Sequence, residues 1–83
     1  MPLKIEINKL FTRFEDIKED YNKGQILLII ERKTEDLLLE AISLKRTIKT
    51  PEETEEINIL VKQLSQYLYD IQGLIEKECS GSL

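Results

Sequence analysis

An all-α fold, an antiparallel three-helix up-down-up bundle with long second and third helices, is what this sequence predicts. Three observations carry that prediction. Apolar residues recur at intervals of three and four along most of the chain. A helix-start signature stands at Thr50-Pro51, directly after a cluster of basic residues. Asn22-Lys23-Gly24 interrupts the pattern ahead of the middle segment. Short connections at both breaks favour antiparallel neighbours.

The first helix is expected over about residues 8–22. Leu3, Ile7, Leu10, Phe14, Ile17 and Tyr21 repeat in 4-3-4-3-4 spacing, with Phe11 alongside. Glu19 and Lys23 form a favourable i,i+4 pair. Leu3-Lys4-Ile5-Glu6-Ile7 also alternates as a strand does, and Asn8 and Thr12 both suit an N-cap. Residues 3–8 are therefore open between helix, strand and coil. Gly24 falls on the heptad grid as well as at the break. A helix running through it would give the alternative architecture, a two-helix hairpin dimerising into a four-helix bundle.

The second helix is expected over about 25–49. Leu27, Ile30, Leu37, Leu38, Ala41, Leu44 and Ile48 form one face, and Leu28, Leu39 and Ile42 form a shoulder beside it. The combined apolar arc is roughly 220°, too wide for a helix packed on one neighbour, so this helix should be touched from two sides. Between the apolar clusters, Glu31 to Asp36 leaves Thr34 alone on the inner face.

The third helix is expected over 51–79, with a C-cap and frayed tail at 80–83. Thr50 suits the N-cap, Pro51 the first helical position, and Glu53 the reciprocal position of a capping box. Glu52, Glu53, Glu55 and Glu56 oppose the positive end of the helix dipole. Ile57, Leu60, Val61, Leu64, Tyr67, Leu68, Ile71, Leu74 and Ile75 occupy roughly 140°, one ordinary buried face. Ile59 and Tyr69 lie outside that arc.

Composition narrows function further. The 83 residues are 41% apolar and 34% charged, consistent with one helical domain over 1–83 rather than a disordered tail. Net charge is 12 − 16 = −4, which argues against nucleic-acid binding through phosphate neutralisation. There is no His and one Cys, so His-based acid–base catalysis, His/Cys metal sites and an intrachain disulfide are excluded. The longest apolar run, Ile26 to Ile30, is far short of a bilayer span. No membrane association and a cytoplasmic location are expected.

Motifs that could carry chemistry have simpler explanations. Asp20, Asn22 and Glu31 superficially resemble the calcium loop of the EF-hand family in their spacing. Gly24 replaces that loop's oxygen-bearing fifth residue and Gln25 its turn glycine, so no metal site is expected. Cys79, beside Glu76 and Glu78 near a helix C-terminus, is placed where a thiol stays protonated. Lys45, Arg46 and Lys49 form the densest basic patch, and they also complement a helix C-terminus. Tyr67 and Tyr69 face about 160° apart, so one can be core while the other is exposed.

The expectation is thus a non-catalytic protein–protein interaction module with no cofactor and no small-molecule substrate. A homodimeric structural or regulatory factor is the leading version. An acidic adaptor or chaperone holding one client segment is the alternative, as is a nucleic-acid-associated regulator using the basic patch. Leu28, Leu39, Ile59 and Tyr69 are the candidate partner-binding residues, being the apolar side chains left over once each helix buries its main face.

Overall fold

The computed structural model describes residues 4–81, with side chains through Glu78. It is a three-helix bundle of α1 (Lys4–Asn22), α2 (Leu27–Thr47) and α3 (Pro51–Gly81), about 52 × 20 × 14 Å. Helix α2 packs most extensively along α3 and also along α1, as its wide apolar arc requires. The core is the inner stripe of each helix: Ile7, Leu10, Phe14 and Ile17 from α1; Ile30, Leu37 and Ala41 from α2; Ile57, Leu60, Leu64 and Ile71 from α3. Thr34 is fully buried among them, and its hydroxyl donates to the Ile30 carbonyl at 2.7 Å.

Several boundaries differ from expectation. Helix α1 begins by Lys4, not near Asn8, so residues 4–8 are helix and the strand-like alternation has no counterpart. Its inner stripe outweighs the alternation because Ile7 enters the core while Ile5 stays outside. Leu3, the first residue of the stripe, lies outside the described residues.

The break at Gly24 is real, which removes the two-helix hairpin. Gly24 has φ +90, and two turn bonds close the helix end: Gly24 N–H to Tyr21 O at 3.0 Å and Gln25 N–H to Asp20 O at 3.1 Å. This pair of bonds is a Schellman motif, with Gly24 in the left-handed position that glycine adopts without a Cβ penalty. Because residues 23–25 serve that cap and Ile26 is non-helical (φ −58, ψ 133), α2 starts at Leu27 and not at Gln25. At its other end Ile48 turns extended and its N–H caps Lys45 O, so α2 stops at Thr47, short of Lys49.

Helix α3 starts at Pro51 as expected. The two capping side chains meet directly, the Thr50 hydroxyl donating to the Glu53 carboxylate at 2.7 Å. It then continues through Ser80 and Gly81, beyond the expected end at Cys79; Ser82 and Leu83 lie outside the described residues. With 31 residues against 21 it outruns α2 by ten, about 15 Å. Since α1 has 19 residues, it nearly matches α2, and among the described residues the surplus length of the bundle belongs to α3.

Gly73 sits within α3 in an exposed position with nothing within 4 Å of a built Cβ. Gly73→Ala is therefore expected to stabilise the bundle by about 0.5–1 kcal/mol, by restricting the unfolded chain and favouring helix. A urea midpoint that rises at unchanged slope would verify this.

Candidate partner-binding surface

The four candidate residues are all exposed, two on α2 and two on α3. Leu28 and Leu39 are 61% and 63% exposed, Ile59 48% and Tyr69 73%. Leu28 and Leu39 are eleven residues apart, about 20° of rotation and 16 Å of rise, so they share the outer face of α2. Ile42, the third member of the shoulder and about 60° round the helix from Leu39, is half-buried. Ile59 and Tyr69 stand on α3, about 80° apart, as separate exposed side chains.

Exposed apolar residues also occur where the sequence pattern did not place them. Ile5, Ile26 and Ile29 are exposed, and Leu74 is partly so although it belongs to the α3 stripe. Ile26 and Ile29 belong to the five-residue apolar run, which is longer than a single buried stripe can absorb. That run was the available signal.

The two seams made by α1 have different chemistry. Toward α2 they are ionic: Arg13 pairs with Glu40, and Lys33 Nζ meets Asp20 at 3.0 Å and Gln25 Oε1 at 2.9 Å. An ammonium group thus engages the Asp20 carboxylate that began the EF-hand-like spacing. Among the described residues no cluster of three or more metal-ligating side chains occurs. The expected Glu19–Lys23 pair forms at 3.4 Å. Beside this seam a shallow open groove of about 570 Å³ is lined by Glu6, Lys9, Arg13, Leu39, Ser43 and Thr47, among others. It is a cleft between rounded helices, without an enclosed floor.

Toward α3 the seam is aromatic. Tyr67 meets Phe14 edge-on at 5.4 Å between ring centroids and Tyr21 at 6.5 Å, and Lys18 Nζ lies 4.5 Å from the Phe14 ring centre. Tyr67 is therefore the packed member of the Tyr67/Tyr69 pair and Tyr69 the exposed one. The Tyr67 hydroxyl is buried with no hydrogen-bond partner among the described residues. Burial pushes its phenol above the ordinary value, and the Tyr21 phenol adds to the rise.

Two consequences follow for Tyr67→Phe. Near neutral pH it removes a desolvated hydroxyl and is expected to raise stability by about 1 kcal/mol. At alkaline pH the unfolded chain loses this proton near pH ~10 while the folded chain still holds it. The unfolded state then binds fewer protons, so stability falls as pH rises from there through the higher folded value. The phenylalanine variant lacks that contribution, so its advantage should widen as the pH rises above about 10. Urea midpoints of both proteins across that range measure it.

Lys45, Arg46 and Lys49 are all exposed at the α2 C-terminus. Lys49 lies past the helix end, so the three do not share one helical row. The Cys79 thiol lies outside the described side chains. No helix among the described residues is long and apolar enough to cross a membrane. No family model matches this chain, and no curated protein or solved structure matches it either.

Proposed function

We propose that this chain is a non-catalytic protein–protein interaction module, a small homodimeric structural or regulatory factor that associates through aliphatic helix surface. The observation that supports this reading is the outer face of α2. Leu28 and Leu39 project there in register, more than half exposed, while the main stripes of all three helices are already buried within the chain. A single exposed leucine needs no explanation. Two on one row, continued by half-buried Ile42, form a seam that a second helix can cover. The acidic balance of the rest of the surface would act on encounter rate and partner choice more than on affinity.

Light scattering over roughly a hundredfold concentration range tests the reading. The expected mass rises to, or holds at, 19.4 kDa (2 × 9.7). A steady 9.7 kDa would remove the homodimer and assign the α2 face to a heterologous protein, the adaptor reading.

A further inference from the structure

We infer that the occupant of this face is a second copy of the chain, docked antiparallel along α2 so that Leu28 of each copy meets Leu39 of the other and Arg32 meets Glu35. The inference rests on the homodimer reading and adds the interface and its register.

The outer row of α2 runs Leu28, Arg32, Glu35, Leu39, Ile42, Arg46, at intervals of 4-3-4-3-4. At 100° per residue these positions stay within an arc of about 80°, centred about 150° from the core row of Ile30, Thr34, Leu37 and Ala41. All are exposed except half-buried Ile42. Such spacing is the heptad pattern of a helix–helix seam, here on the face of α2 opposite its core row, with Leu39 at the rim of the groove beside α1.

The row is self-complementary in one orientation. A two-fold axis through the point midway between residues 32 and 35 pairs Arg32 with Glu35 and, by the same reflection, Leu28 with Leu39. The interface would hold two Arg–Glu contacts at its centre, flanked by two Leu–Leu contacts, as an isologous dimer requires. A parallel in-register pairing would instead oppose Arg32 to Arg32 and Glu35 to Glu35. A charged pair inside an otherwise aliphatic seam is a means of specifying register.

The intrachain ion pairs are compatible with this assignment. Lys9, Arg13, Lys18, Lys23 and Lys33 are all paired within the chain, but neither Arg32 nor Glu35 takes part in an ion pair among the described residues. Two opposite charges three residues apart are thus available to a facing helix.

Charge exchange tests the register. Arg32→Glu and Glu35→Arg, each alone, are expected to weaken dimerisation about tenfold or more, and the double exchange to return it to within about threefold of the parent. The controls are built in, since the net charges are −6, −2 and −4 for the three variants against −4 for the parent. If general repulsion governed association, Glu35→Arg would tighten the dimer, and that result overturns the inference. A parent that dimerises while all three variants match it would overturn the inference and leave the homodimer reading standing. A parent that stays monomeric removes both. Circular dichroism of each variant should be unchanged, because both positions are exposed on the outer row.

Cross-linking gives a second, independent readout. In a Cys79→Ser background, a mixture of Leu28→Cys and Leu39→Cys chains should form the mixed disulfide. Leu28→Cys alone should not self-link, because two copies of residue 28 would stand about 16 Å apart along the seam, beyond the reach of a disulfide. Ready self-linking of Leu28→Cys would overturn the antiparallel register.

Discussion

Leu64→Ala is expected to lower the stability of this bundle by about 3–4 kcal/mol, the largest effect of any single truncation considered. Leu64 is fully buried on the inner row of α3 and belongs to the same cluster as Leu10 and Phe14 of α1 and Leu37 of α2. Its loss combines the transfer free energy of the missing methylene and methyl groups with the cavity they leave. The bundle is slender, so each core level holds only one or two side chains per helix and has little room for compensating collapse. A chain of 83 residues has of order 4–12 kcal/mol of stability in all, so this one change removes about a quarter or more of it. Leu39→Ala deletes the same atoms from an exposed site and should change the stability of the single chain by no more than about 0.5 kcal/mol. Urea unfolding of both variants, at one fixed protein concentration because association adds to apparent stability, measures the contrast. Equal losses would mean that the inner and outer rows of the helices are not distinguished by burial.

The second large effect belongs to Gly24. Its φ of +90 lies in the region that L residues rarely adopt, yet nothing stands within 4 Å of where a Cβ would be. The cost of Gly24→Ala is therefore conformational and not a clash, about 1–2 kcal/mol for forcing a side-chain-bearing residue into left-handed backbone. Alanine also favours the helical alternative at this position, where a continuous α1–α2 helix would dispense with the Schellman cap. The expected result is a lower urea midpoint together with a higher helix signal in any residual associated state. Gly73→Ala is the matched control, because the same substitution in regular helix should act in the opposite direction. If both substitutions stabilised the protein, the left-handed cap at Gly24 would be contradicted.

These two glycines illustrate how far the sequence could be read. Asn22-Lys23-Gly24 announced a break, but Gly24 also sat on the heptad grid, and glycine is compatible with both outcomes. What decides between them is whether the inner rows of α1 and α2 bury more surface folded back on each other than in line, and that is a long-range quantity. The α3 start was legible because its signals lie within a single turn, where the Thr50 hydroxyl meets the Glu53 carboxylate and Pro51 is the first helical residue. The α1 start was legible only to within several residues, because Asn8 and Thr12 both suit a cap. Thr12 in fact donates to the Asn8 carbonyl within a continuous helix at 3.0 Å. Tyr67 and Tyr69 were separable from their angle alone, but the Phe14 and Tyr21 rings that hold Tyr67 come from another helix.

For the candidate surface the division is sharper. Periodicity identified Leu28, Leu39 and Ile42 as a shoulder beside the main row of α2, and Ile59 and Tyr69 as lying off the α3 row. It did not show which of them a neighbouring helix would cover. Ile42 is half-buried while Leu39, one short rotation away, is left outside.

The sequence by itself determined the helical class, the inner rows and the α3 cap, because 3.6-residue periodicity and capping act over a few residues. Only the tertiary structure decided the break at Gly24, the ten-residue surplus of α3 and the outer row of α2 that faces away from the core. Those depend on where one helix ends against another. Burial is a property of the packed chain, and the same leucine is core or surface according to which side of its helix the neighbours occupy.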